Sequence, residues 1–245
     1  MRRGGVVVYG LFAYLATLIL TVYSIAFFGN LAIKHSLDSE PRSEVGWAIC
    51  VNGSLFLLFG LQHSLMARRG FKRRLARYLP AAVERSTYLY GSCLALGTLF
   101  LGWQPIGFVL WDLTASFGGS MVYVIYFIGW VVIAWSICLM DQSDMFGLRQ
   151  VWCYAKGRTY KPLPLVIPGP YRWVRHPMYL GWLLVFWASP IMTSGHFAFA
   201  IFFTLYILIA IRWEERDLVE VHGEAYQNYR SSVAMLFPLW KILGK

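Results

Sequence analysis

Uninterrupted apolar runs of membrane-spanning length constrain this chain more than any other feature. Crossing a hydrocarbon core takes about 20 consecutive apolar residues in a helix, because lipid offers no partner for a free backbone N–H or C=O. Residues 6–29, 45–66 and 120–140 form such runs, and 88–103 forms a shorter one that gains a turn if Glu84 and Arg85 lie at headgroup level. A second block, 176–213, is divided by "SPIMTSGH" (189–196). Its first part, 176–195, has Pro177 where a helix begins and Pro190 where one would kink, and is expected either to cross or to re-enter. Its second part, 197–213, is at the lower limit for a span. Only 14% of the residues are charged and 58% are hydrophobic, against about 25% and 45–50% in soluble domains. The expected fold is therefore all-α, a polytopic integral membrane helical bundle with five or six transmembrane helices. It is read as a single domain over 1–245, with four helices in 1–140 and the functional polar residues in 141–245.

The net charge of +10 does not point to nucleic acid, because the basic residues flank apolar runs. Only Lys34 and Arg42 follow the first run, and 104–119 has none; the other 20 of 22 lie at the N-terminus, in 67–85, in 149–175, or from 212 onward. If every block crosses, all of these fall on one side, which places both termini in the cytoplasm. The N-terminal run is too long for a signal-peptide core and lacks a small-residue cleavage site. The stretch "ARRGFKRRLARYLP" (67–80) sets six basic residues among Phe71, Leu75, Tyr78 and Leu79, the pattern of an interfacial helix held by anionic lipid. Cys50, Cys93, Cys138 and Cys153 have no CxxC spacing, so neither a disulfide framework nor a zinc knuckle is supported. The five histidines show no metal-ligand spacing, and no metal is expected.

Three polar groupings adjoin helix ends. "DQSDMFGLRQVW" (141–152) packs Asp141, Asp144, Arg149 and Gln150 between apolar residues. They read either as solvated charges that end a helix or as a pocket into which Asp144 and Gln150 point. "PLPLVIPGPYRWVRHPMYLG" (162–181) holds four prolines before Arg175, which force an extended path. Gly169 permits close backbone approach, and Pro177 starts a helix whose free N–H groups favour an anion. Arg172, Arg175 and Tyr179 also fit a headgroup anchor. In "IRWEERDLVEVHGEAYQNY" (211–229), Glu214 and Glu215 follow Trp213 directly. The helix is expected to continue to about 222–223, where Gly223 caps it. Paired acids at a membrane lip call for a cation or hydrogen-bond donors, with Arg212, Arg175 and a cationic ligand as candidates. No P-loop, GxGxxG, HExxH or GxSxG element is present.

"RHPMYLG" (175–181) followed by "EERDLVEVHGEAYQNYRSSVAMLFP" (214–238) resembles the isoprenylcysteine carboxyl methyltransferase superfamily. The matching positions are Arg175, His176, Pro177, Tyr179, Gly181, Glu214, Glu215, Leu218, Gly223, Tyr226, Tyr229 and Pro238; His222 stands where many relatives carry Phe. "QHSLMARRGFK" (62–72), "ERSTY" (84–88), "DMFGLRQVW" (144–152) and "FWASPIMTSGH" (186–196) resemble one branch, the bacterial methanethiol S-methyltransferases. The resemblance implies an inner-membrane enzyme that uses S-adenosylmethionine in a cytoplasmic-side pocket to methylate a small thiol. It implies that 141–245 is the cofactor-binding and catalytic part. Arg175 and the helix start near His176 would face the donor's carboxylate, or shape the backbone that does. Glu214 and Glu215 would accept from its ribose hydroxyls or ammonium. Gly169 and Tyr171 would line its adenine, with Tyr179, Gly181, Tyr226 and Gln150 completing the set. Asp144 or His63 would take the thiol proton. A carboxyl or phospholipid methyltransferase, or a non-catalytic assembly factor, remains the alternative at this stage.

Overall fold

The computed structural model describes residues 3–238. Helices dominate: α1 (Arg3–Gly29), α2 (Val45–Ala67), α3 (Arg69–Leu75), α4 (Glu84–Gly102), α5 (Phe117–Leu139), α6 (Gln142–Met145), α7 (Leu148–Ala155), α8 (Pro177–Trp187), α9 (Ser194–His222) and α10 (Glu224–Ser232). Two short strands, β1 (Val109–Asp112) and β2 (Ile191–Thr193), pair in one small sheet. By length and composition α1, α2, α5 and α9 can each cross a membrane. At 19 residues α4 has the length but also carries Glu84 and Arg85. Apolar side chains face outward along these helices. On α1, Val6, Gly10 and Ala13 are buried while Leu11, Phe12, Leu15, Ile19 and Val22 are exposed. A surface that apolar is expected against lipid and not against water.

The described chain divides into two compact units. Among the described residues the first comprises 3–108, 141–162 and 193–196, and the second comprises 109–140, 163–192 and 197–238. In the first, α1 packs on α4 and α7, and α2 on α4. A Cβ at Gly10 would stand 2.9 Å from Val151 Cγ2, so the small residue sets how closely α7 approaches α1. Asn52, a polar exception inside the second apolar run, has a structural use. Its amide donates to Gln104 O at 2.7 Å and accepts from Gln104 N–H at 2.9 Å, closing the exposed end of α4.

In the second unit α5 pairs with α8. The expected 20-residue helix over 176–195 is an 11-residue one, about 16 Å long at 1.5 Å per residue, about half the hydrocarbon thickness. It stops at Trp187, where Ala188 leaves helical geometry and Ser189 precedes Pro190, a position biased away from the α conformation. The segment as a whole still follows α5 closely. Trp173 packs on Trp135, Gly181 lies on Gly129, and Trp187 shares a groove with Val122. The chain thus runs antiparallel along α5, as a short helix with non-helical ends. Those ends satisfy their backbone through β2 and through the Leu113 N–H bond to Pro190 O. The α9 helix continues to His222, and Gly223, with φ +57°, turns the chain into α10.

Candidate active site

The second unit gathers the residues expected to hold a donor. Arg175 and His176 sit just before α8, and Glu214 and Glu215 lie on α9. Pro177 at the first helical position leaves His176 as the N-cap, where a missing proline N–H costs nothing. A parallel bridge from Val174 to Ala234, with Arg175 N–H donating to Ala234 O at 2.8 Å and His176 N–H to Met235 O at 3.1 Å, ties this stretch to the chain after α10. The side chains then converge. Arg175 Nε donates to Glu215 Oε1 at 2.7 Å, and its Nη1 donates to Arg230 O at 2.8 Å and to Val233 O. His176 Nε2 lies 3.0 Å from the same Glu215 oxygen. Since a carboxylate can only accept, the ring presents its Nε2–H there. The three side chains are nearly excluded from solvent, at 10%, 5% and 11% exposure for Arg175, His176 and Glu215. Such a pair must be complete, because a buried charge left alone is far more costly than its partner's absence at the surface.

Glu214 is different. It is exposed on α9, and its Oε2 accepts from Tyr179 O–H at 2.9 Å. Tyr171 and Tyr226 feel its charge. Burial, reinforced by Glu214, pushes the Tyr171 phenol up to about 12, and burial with Glu215 and Glu214 pushes Tyr226 up as well. Burial likewise takes Tyr229 up to about 12; Arg175 opposes that rise, while Tyr171 and Glu215 add to it. Tyr229 O–H donates to Tyr171 O at 2.6 Å. A neutral phenol cluster thus borders one accessible carboxylate. Tyr171 belongs to the 3-10 turn Gly169–Arg172. Gly169 has φ +51°, and a Cβ there would stand 2.6 Å from Leu139 Cδ1; the left-handed conformation and the close approach both favour glycine.

Of the two roles expected of Arg175, facing the donor's carboxylate or shaping the backbone that does, its geometry favours the second, since Nε and Nη1 turn inward to Glu215 and two carbonyls. Glu215, expected to accept from the donor, has its Oε1 held by Arg175 and His176. Gly181, expected among the cofactor residues, is buried against α5. A Cβ there would lie 2.7 Å from Ile133 Cγ1 and 2.8 Å from Gly129 O.

The remaining candidates belong to the first unit. Asp141 caps α6 by accepting from Asp144 N–H at 3.0 Å, and its own hydrogen bonds from Ser143 and Asp144 hold its carboxyl below the usual range. Asp144 accepts at Oδ1 from Arg149 Nη1 at 3.2 Å, and at Oδ2 from Tyr160 O–H at 3.2 Å. Gln150 Nε2 donates to Asp144 O at 3.1 Å, while its buried Oε1 has no hydrogen-bond partner. Burial and the neighbouring Asp144 raise the Tyr160 phenol. His63, on α2, stacks on Phe59, and its Nε2 lies 2.7 Å from Tyr88 O–H and its Nδ1 3.1 Å from Ser92 Oγ. The partners Tyr88, Ser92 and Tyr160 were not singled out from sequence. One tyrosine of 15 carries no mark of its role, and only the meeting of α2 with α4, or of α6 with the chain beyond α7, reveals it.

The residues present suit S-adenosylmethionine in kind. It carries a carboxylate, an ammonium and a sulfonium beside a purine and a diol, and the second unit offers an accessible carboxylate flanked by neutral phenols. A family model described as phospholipid methyltransferase matches residues 124–225. A methanethiol S-methyltransferase of Crocosphaera subtropica is 44% identical over 97% of this chain and 93% of its own length. One of Mycobacterium tuberculosis is 39% identical over 97% and 98%. Nurim of Rattus norvegicus is 31% identical over 74% and 70%. No solved structure matches the chain. With several such relatives aligned over nearly its full length, the chain belongs to the methanethiol S-methyltransferase family.

Proposed function

We propose that this protein transfers the methyl group of S-adenosylmethionine to methanethiol, giving dimethyl sulfide. The observation that carries this reading is the closed Arg175–His176–Glu215 cluster with the accessible Glu214–Tyr179 pair beside it, in a chain of this family. When bound, the donor supplies an electrophilic methyl on a sulfonium. Glu214 accepts from the donor's ribose hydroxyls or ammonium, and Tyr179 fixes the carboxylate's direction. Tyr171 and Tyr226 offer flat, neutral faces beside it. Glu215, Arg175 and His176 hold α9, the start of α8 and the chain after α10 in register. Held at near-attack distance, a thiol sulfur needs little further assistance; such positioning is worth up to about 7–11 kcal/mol in favourable systems.

The thiol also loses a proton. Thiols have ordinary values of about 8.5, and an adjacent cation favours the thiolate. Asp144 is the preferred acceptor and His63 the second candidate, each able to act directly or through water. Gln150, bonded to the Asp144 backbone, positions that carboxylate. The bacterial sources of the methanethiol S-methyltransferases it resembles support an inner-membrane location, and its basic-residue distribution supports cytoplasmic termini.

Purified protein supplied with S-adenosylmethionine and methanethiol is expected to release dimethyl sulfide into the headspace, and none above a boiled control would refute the reading. A second reading, methylation of a phospholipid amine, draws on the description of the family model matching 124–225. Donor carrying a labelled methyl separates them, since label in extracted lipid and none in the headspace would favour the second.

A further inference from the structure

We propose that the exposed face of α3 is a site for anionic phospholipid headgroups. The α2 helix, long and apolar enough to cross a membrane, ends at Ala67, and α3 begins two residues later at Arg69. The helix therefore starts where a span leaves the hydrocarbon. Within 68–77 lie Arg68, Arg69, Lys72, Arg73, Arg74 and Arg77, and no Asp or Glu occurs anywhere in 45–83. The next acid, Glu84, pairs with Lys72 at 3.1 Å. That ion pair neutralises one of the six cations and ties α3 to the start of α4. Phe71 and Leu75, one turn apart, are half-buried, whereas Arg69, Arg73, Arg74 and Arg77 are exposed. Among the described residues Arg73, Arg74 and Arg77 make no salt bridge.

A helix C-terminus accounts for some of this charge, because cations in the last turn complement the macrodipole. It does not account for Arg77 or for Tyr78, which lie past the last helical residue and of which Tyr78 is 84% exposed. A phenol with an apolar ring and a polar tip is suited to the headgroup layer. Guanidinium forks bind phosphate oxygens in bidentate fashion. With the neighbouring span fixing their depth, Arg73, Arg74 and Arg77 stand where lipid phosphates are. The proposal does not depend on the methyl-transfer reading.

The test uses the full chain, purified in detergent with equal phosphatidylglycerol and phosphatidylcholine of matched acyl chains, and native mass spectrometry to count the lipid retained. The wild type is expected to retain phosphatidylglycerol several-fold over phosphatidylcholine. The R73Q/R74Q/R77Q variant is expected to lose at least threefold of that preference, while R158Q, a change at an exposed arginine outside the patch, keeps it. An unchanged preference in the triple variant, or parity in the wild type, overturns the proposal. Should the triple variant not be recoverable, the wild type decides alone. Retention of phosphatidylglycerol that falls with added sodium chloride but withstands inorganic phosphate at matched ionic strength supports a headgroup site. Displacement by inorganic phosphate beyond that salt effect marks a free-anion site and overturns it.

Discussion

Glu214 and Glu215 are adjacent in sequence, yet one is buried between Arg175 and His176 and the other is exposed under Tyr179. A helix turns about 100° per residue, so neighbours on α9 cannot serve the same environment. Their variants should separate accordingly. Glu214→Ala is expected to weaken S-adenosylhomocysteine binding about tenfold or more, the scale of one hydrogen bond to a charged group, with little change in melting temperature; calorimetry and thermal unfolding check this. Glu215→Ala is expected to cost about 3–5 kcal/mol of stability, because it strands the buried Arg175 guanidinium and leaves the His176 Nε2–H without its acceptor. Asp144→Asn is expected to lower turnover with cofactor affinity nearly unchanged. Equal loss of binding in Asp144→Asn and Glu214→Ala would overturn that division of labour.

At the scale of elements, the short α8 is the informative case. Its contact with α5 runs through Gly129 and Gly181, where two backbones meet with no room for side chains. In lipid, helix association depends on such close packing, since apolar surface gains little by leaving one hydrocarbon environment for another. Gly181→Ala places a methyl 2.8 Å from Gly129 O and is expected to cost about 1–3 kcal/mol, in the range of overpacked cores. Because α8 carries His176 and Tyr179 at its start, the loss should also appear as weaker binding of S-adenosylhomocysteine. Unchanged stability and binding would show that α5 yields easily. Apolar runs revealed that 176–195 belongs in the membrane, but not that only 11 residues are helical. Hydropathy counts residues, and a non-helical end whose carbonyls and N–H groups are paired by β1 has the same hydropathy as a helical one.

At the scale of the molecule, the first unit holds a second buried ion pair that joins residues far apart in the chain. Asp38 accepts from His196 Nδ1 at 2.6 Å, from the Thr193 N–H and hydroxyl at 3.1 Å and 2.6 Å, and from Asn30 Nδ2 at 2.7 Å. Burial alone would raise the Asp38 carboxyl; the hydrogen bonds and charge of His196, with those of Thr193 and Asn30, outweigh it and hold the group below its ordinary value. Its contribution is therefore complete above about pH 4, the unfolded carboxylate range, and is lost as pH falls through the lowered folded value. Thermal unfolding of the wild type should weaken as pH drops below about 4. Asp38→Asn should be less stable at pH 7 and should lack that slope, and a parallel acid profile in both proteins would exclude the role.

Residue order alone settled that the chain is a bundle of membrane helices, because lipid forces backbone groups to pair within each segment and apolar runs of that length have few other solutions. Arg175, His176, Glu214 and Glu215 were legible as functional candidates for a related reason: charge at a membrane lip is costly unless it is used. Which of those charges faces inward was a tertiary decision. Arg175 meets Glu215 and two carbonyls only once α8, α9 and α10 have packed, and Asp38 finds His196 across 158 positions only after folding. Spacing along a chain carries no record of such meetings, whereas the energy of burying a charge depends entirely on them.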